Sequence, residues 1–276
     1  KNASAARGLA LFAAGSLATR SARFGSDLDL LAIGRDELAA PAETGMIRAL
    51  IEDAREAGLG PIDMRLRGEG ESAPLVQTLA FVESYLQTRA RPWELLAYAK
   101  CRFVCGDAET GAALEGMLRG TLPALFFRKG WKERLLESRA ALASLSRSAW
   151  DVKHAAGGLY DIDFILAAAR LAGVIDGARS ADHARELERL REAGLIDGDD
   201  PAALLEAFRA FWTIEHAAAL HGFLFPPLPE RESFFEGYLG RLFGGRAGGG
   251  SSFLDRLDGE RRAVRGIFGR FFERIA

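Results

Sequence analysis

Cysteine is scarce in this sequence. Two residues, Cys101 and Cys105, stand among 276. That is too few for a disulfide framework, and a reducing, cytoplasmic setting is expected. Long apolar runs are missing as well. None reaches the roughly 20 residues that a bilayer-spanning helix needs, and no basic segment followed by an apolar one opens the chain. Neither a membrane partner nor a secretory leader is expected. There is also no excess of one charge. Thirty-six basic side chains against 38 acidic ones leave −2, which argues against nucleic acid as a partner, because general binding to it needs a basic surface. What remains is ordinary for a globular protein: 49% hydrophobic and 27% charged residues. The length suits one large domain or two small ones. Arginine outnumbers lysine and alanine is abundant, which is read first as compositional bias. Lys1 falls inside what reads as an ordered region, so an upstream segment is expected.

The first third has β character. Leu9 to Ala14 is a short apolar run ending at Gly15-Ser16, and Asp27 to Ile33 alternates before turning apolar, as a half-buried strand does. Thr44 to Glu56 reads as a helix closed by Gly58 and Gly60, and Pro61 to Leu66 reads as a further alternating strand. This order suggests a small sheet with helices on one face. After Pro74 the pattern is helical almost throughout. Apolar residues recur every three or four positions through Leu75, Leu79, Val82 and Leu86, then Leu95, Ala99 and Phe103. Further amphipathic stretches cover about 110–118, 131–145, 159–171, 181–193, 201–220, 230–243 and 253–275, with Asp200-Pro201 as a helix start. The glycine-rich 244–252 reads as a flexible loop, and no repeat of solenoid period is present. The expected fold class is α+β, mostly α. A small sheet domain over 1–107 is followed by a helical bundle over 108–276.

One constellation carries chemistry. Gly15-Ser16 is followed, after a spacer, by Asp27-Leu28-Asp29. Residues two apart on a strand face the same side, so the two carboxylates project together while Leu28 and Leu30 point inward. Paired carboxylates repel unless a cation sits between them. Mg²⁺, or Mn²⁺ in its place, takes one or two carboxylates plus substrate phosphates. Glycine admits a phosphate close to the backbone and the Ser16 hydroxyl can donate to it. Asp63, on the later strand, supplies a third acid. Three such groups can hold two metals for an in-line displacement at phosphorus. Asp-Leu-Asp-Leu alone would equally suit a solvated edge strand; it is the combination that points to chemistry. Arg65 and Arg67, expected on the same strand face as Asp63, suit phosphate oxygens or a salt-bridge ladder.

Gly-Ser followed by Asp-x-Asp resembles the polymerase-β-like nucleotidyltransferase superfamily. More specifically, the chain resembles one catalytic half of the glutamine synthetase adenylyltransferase family over nearly its whole length. Its GSLATRSA (15–22), GSDLDL (25–30), DMRLRGEGESAPL (63–75), Trp93-Glu94, KCRFVCGD (100–107) and DVKHAAGGLYDIDF (151–164) follow the family's motifs in order. There are departures. Ser16 stands where the family has Lys, Ala18 and Thr19 replace a Gly pair, Gly68 replaces Pro, Ala73 replaces Gly and Asp163 replaces Glu. The resemblance implies ATP-dependent transfer of AMP to a tyrosine of glutamine synthetase, or removal of that AMP with phosphate as attacker. Asp27, Asp29 and Asp63 would be metal-binding and catalytic. Gly15, Ser16, Arg20, Ser26, Arg65 and Arg67 would hold the nucleotide, and Lys153, Asp161 and Asp163 would lie near the cleft. Asp161 and Asp163 would not share a helix face. The implied partners are ATP or phosphate, glutamine synthetase and a second catalytic half. A different acceptor, or a non-catalytic regulatory module of the same fold, are the competing readings, favoured by the changes at Ser16, Ala18 and Thr19.

The remaining candidates read as framework. Cys101 and Cys105, one helical turn apart, have no neighbouring His or third Cys and suit buried thiols better than a metal pair. His216 and His221 are badly spaced for a shared helix face. Gly157-Gly158 reads as a tight turn into a helix, and Trp93 and Trp212 as core or interface residues.

Overall fold

A computed structural model describes residues 8–35, 40–66, 73–128, 130–146, 148–176, 182–220, 232–242 and 253–275. The fold is α+β and mostly helical. The chain divides into two compact units: 1–135 with 167–182, and 136–166 with 183–276.

The first unit holds one five-stranded sheet built from β1 (Ala10–Ala13), β2 (Leu28–Gly34), β3 (Ile62–Asp63), β4 (Val76–Thr78) and β5 (Arg102–Gly106). The order is β3-β2-β1-β5, with β4 also on β2. β1 runs antiparallel to β2 and to β5, whereas β3 and β4 run parallel to β2. Parallel pairing needs a crossover, and helix α2 (Ala40–Glu56) supplies it between β2 and β3. α2 sets Ile47, Met46 and Ile51 on Leu30, Ala32, Met64 and Val76. Phe12 and Phe103 belong to the other face and meet edge to face at 5.8 Å. There α5 (Ala108–Phe126) comes so close that a Cβ on Gly111 would lie 2.6 Å from the Phe103 ring. Helices thus cover both faces, not one.

Two strands fall where a helical period was read. α4 (Pro92–Lys100) stops before Cys101, and Phe103 belongs to β5 rather than to a continuing helix. The cause is non-local. β5 pairs with β1, and Gly106 takes φ +105 where a Cβ would stand 2.3 Å from the Leu9 carbonyl oxygen. The next amide, Asp107 N–H, donates to that oxygen at 2.7 Å, and the Asp107 carboxylate caps α5 by accepting from the Thr110 amide. Cys101 is therefore buried at the end of α4 and Cys105 exposed on β5, not one helical turn apart. β4 leads directly into α3 (Leu79–Thr88), whose cap is Thr78.

The rest is helical among the described residues: α6 (Trp131–Ala143), α7 (Leu159–Leu171), α8 (His183–Glu192), α9 (Asp200–Leu220), α10 (Glu232–Leu242) and α11 (Phe253–Arg274). In the second unit Trp150 is fully buried, edge-on to Phe235 at 5.3 Å and stacked with Phe253 at 6.0 Å. α11 buries Leu257, Val264, Ile267, Phe268 and Phe271, an apolar stripe at helical spacing. The glycine-rich 244–252 and His221 lie outside the described residues.

Candidate active site

The site is built where β1 ends. The Ala14 amide donates to the Asp29 carbonyl at 2.9 Å, and the chain then turns into the single helical turn α1 (Gly15–Ala18). Gly15 takes φ +51, and a Cβ there would stand 2.2 Å from Asp29 Oδ2. Only glycine lets that carboxylate press against the backbone. On β2, Leu30 and Ala32 go to the α2 side, so Asp29 belongs to the opposite face with the buried Leu31 and Ile33. Asp29 is half-buried and pairs in register with Asp63 of the parallel strand β3. Register partners on parallel strands face the same side, which brings these two acids to one face. Asp27, two residues upstream, is exposed just ahead of β2, and the Leu28 amide extends the ladder to the Pro61 carbonyl at 2.8 Å. Cys101, at the end of α4, is buried. Burial pushes its thiol up to about 12, with the nearby Asp29 adding and Lys100 opposing.

Arg65 does not share a strand face with Asp63, because β3 ends at Asp63 and Arg65 lies in the following turn. It folds back instead. The Arg65 amide donates to Asp63 Oδ1 at 2.8 Å, while its Nε and Nη2 donate to Oδ2 at 2.8 and 2.5 Å. Arg67 lies outside the described residues. The α1 turn is closed by its own hydroxyls: the Thr19 hydroxyl donates to the Ser16 carbonyl at 3.3 Å and lies 2.8 Å from that of Ser21. This gives Thr19, one of the departures from the family's Gly pair, a role that the sequence pattern did not signal. Arg20 is exposed at φ +56, alone among the described non-glycine residues in having positive φ. Ser26 accepts from the Arg23 amide at 3.0 Å, and a Cβ on the facing Gly60 would stand 2.8 Å from the Ser26 carbonyl oxygen.

Among the described residues, no three His, Cys, Asp or Glu side chains converge closely enough to hold a metal ion as they stand. The donor set nonetheless fits Mg²⁺ or Mn²⁺ in kind and in backbone placement. Asp29 and Asp63 are oxygen donors in register, and Asp27 lies two residues before Asp29, just ahead of β2. The Asp63 carboxylate is turned onto Arg65.

Three more expected cleft residues lie in the second unit. Asp161 has no exposed surface, and its oxygens are committed: Oδ1 to Arg139 Nε at 2.5 Å, Oδ2 to the Gly157 amide at 2.7 Å and to Arg265 Nη1 at 3.3 Å. Arg139 spends its other nitrogens on the His154 and Ala155 carbonyls at 3.0 and 2.9 Å. That makes Asp161 a buried carboxylate whose charge is already paired and hydrogen-bonded, a framework role. Asp163 is half-buried, two residues along α7 and so on another face. Lys153 Nζ lies 5.4 Å from the centre of the Tyr160 ring. Gly157 takes φ +79 where a Cβ would stand 2.0 Å from the Arg261 carbonyl oxygen, and a Cβ on Gly158 would stand 2.5 Å from that of Val152. Close backbone packing explains both glycines.

Residues 1–117 match the glutamate-ammonia ligase adenylyltransferase family, and residues 126–223 match the PII-uridylyltransferase family. Similar curated proteins are bifunctional glutamine synthetase adenylyltransferase/adenylyl-removing enzymes. That of Pseudomonas putida is 31% identical over 233 residues, covering 71% of this chain and 24% of the relative. That of Streptomyces coelicolor is 29% identical, covering 77% and 23%. That of Xanthomonas axonopodis pv. citri is 32% identical, covering 74% and 22%. The chain therefore spans about a quarter of the length of the curated relatives it matches. On these matches the chain belongs to the glutamine synthetase adenylyltransferase family.

Proposed function

We propose that this chain catalyses transfer of AMP from ATP to a tyrosine hydroxyl of glutamine synthetase, or its reversal by phosphorolysis, at the face shared by Asp27, Asp29 and Asp63. The observation that carries the reading is the register of Asp29 with Asp63 beside a glycine whose missing Cβ makes room for the Asp29 carboxylate. Asp27, Asp29 and Asp63 would hold Mg²⁺ or Mn²⁺. When bound, such ions neutralise the carboxylates and phosphate oxygens and stabilise the charge that builds up at phosphorus. The chain's own groups do the rest. Gly15 fixes the Asp29 carboxylate. Asp63, once turned from Arg65, accepts the proton of the attacking hydroxyl. Arg65 is thereby released to the phosphate oxygens, which a guanidinium fork suits. Ser16, Arg20 and Ser26 line the turns around the triphosphate. The hydroxyl oxygen bonds to the α-phosphorus and pyrophosphate departs. In removal, a phosphate oxygen attacks the same phosphorus and the tyrosine oxygen leaves, giving ADP.

Incubation with labelled ATP, Mg²⁺ and glutamine synthetase should label the synthetase. Asp27→Asn and Asp29→Asn should abolish labelling while leaving the thermal melt near wild type. Near-normal labelling by either variant would overturn the assignment. A second reading, a nucleotide-binding module without chemistry, is favoured by the closure of Arg65 onto Asp63. ATP binding without transfer to any acceptor would establish it.

A further inference from the structure

The second unit contains a pocket of about 380 Å³ lined by Ala155, Ala156, Asp258, Arg261, Arg262 and Arg265. Its arginines come from successive turns of α11, and the two alanines come from the turn that ends at Gly157. That turn packs so tightly on α11 that no Cβ fits between them. Arg261 is 8% exposed. Its Nη1 reaches Asp258 at 3.2 Å, but its Nε and Nη2 are buried and make no hydrogen bond among the described residues. Burial pushes its pKa down, with Asp258 and the more distant Asp151 opposing. Asp258 is itself half exposed and so a weak counter-charge. Arg262 is exposed. Arg265 shares Asp161 at 3.3 Å, but that carboxylate already binds Arg139 at 2.5 Å. Three guanidinium groups against one carboxylate leave the pocket wall with two surplus positive charges.

A buried cation with open donors is costly until an anion meets it. We infer that this pocket is a binding site for a phosphate group, distinct from the aspartate face. A phosphate group carries about −1.5 to −2 charges and three strong acceptor oxygens, which matches the surplus charge and the unmet Nε and Nη2 donors. The guanidinium fork pairs with two such oxygens at once. The volume leaves room for whatever carries the group, so free phosphate and a phosphomonoester are both admitted.

The test is calorimetric titration of the whole chain with inorganic phosphate, free of divalent ions and at constant ionic strength, with phosphoserine as a second arm. Saturable one-site binding is expected, and the tighter arm identifies the source of the phosphate group. Arg261→Met should weaken it by about tenfold or more. Arg262→Glu, on an exposed residue, should weaken it comparably without threatening the fold. Arg119→Gln, an exposed change on α5, should leave it unaltered. Asp29→Asn should also leave it unaltered, which separates this site from the proposed catalytic one. The inference is overturned if neither ligand binds saturably, if Arg262→Glu binds like wild type, or if Asp29→Asn abolishes binding.

Discussion

Replacing Gly15 with alanine isolates what the close approach to Asp29 does. Two penalties arise. The first is conformational: an L-residue at φ +51 costs about 1–2 kcal/mol. The second is steric. A Cβ would stand 2.2 Å from Asp29 Oδ2, and ordinary contact begins near 3.4 Å, so the carboxylate must retreat by roughly 1 Å. Displacement of that size at a reacting centre costs about 10²-fold in rate. Gly58→Ala separates the two effects. Gly58 has φ +68, but nothing among the described residues lies within 4 Å of the added Cβ, so only the backbone penalty applies. Both variants should lose about 1–2 kcal/mol and melt a few degrees lower. Only Gly15→Ala should lose transfer of labelled AMP to glutamine synthetase. The loss should fall mainly on kcat, because positioning at the reacting centre is affected more than ground-state binding. If Gly15→Ala turns over within about threefold of Gly58→Ala, the glycine does not place Asp29 and the reasoning is refuted.

Three other outcomes are expected. Mn²⁺ with ATP should raise the melting temperature, since a ligand of the native state stabilises it; Asp63→Ala should lose much of that shift, and Arg65→Gln should lose part of it with the guanidinium assigned to the phosphate oxygens. Arg139→Met should destabilise the chain in urea by about 3–5 kcal/mol, because it strands the buried Asp161 charge, and a loss too small to measure would contradict the framework role. Thiol reagents should label Cys105 and spare Cys101 in the folded protein. The Cys101 pKa is raised from 9.0 to about 12 by burial, so the buried thiol's contribution to stability is complete below pH 9.0 and declines as pH rises towards about 12. Cys101→Ala should flatten that part of the denaturation profile, and an unchanged slope would count against it.

Most helices were legible because each buries one stripe at a period of about 3.6 residues. Strand β2 was legible because its alternation is local, although Asp27 falls one residue ahead of it. What escaped was non-local. Val76–Thr78 is a strand only because it lies along β2, and Arg102–Gly106 only because β1 offers an edge and Gly106 can reach Leu9. Neither is long enough to alternate clearly, and Leu95, Ala99 and Phe103 imitate a helical stripe across the junction. Arg65 was misplaced because alternation was carried past the end of β3, where an Asx-type hydrogen bond to Asp63 turns the chain. The burial of Asp161 was not legible, because its partners are distant in sequence. Its partner Arg139 is 22 residues earlier and Arg265 is 104 residues later.

The interleaving of the two compact units has a consequence for biosynthesis. The first unit is completed by Ala167–Asp182 and the second draws on Leu136–Leu166 together with His183–Ala276. A fragment ending at Leu135 would thus lack part of its own unit. A nascent chain also makes Asp161 well before Arg265, with 104 positions between them. At about 5–20 residues per second, that interval lasts roughly 5–20 s. Throughout it the turn at Gly157 has no α11 to pack against, and the Arg139–Asp161 pair lacks part of its cover. Translation pauses within α8 or α9 would lengthen this open period, and proteases or chaperones would meet the 136–166 segment there first.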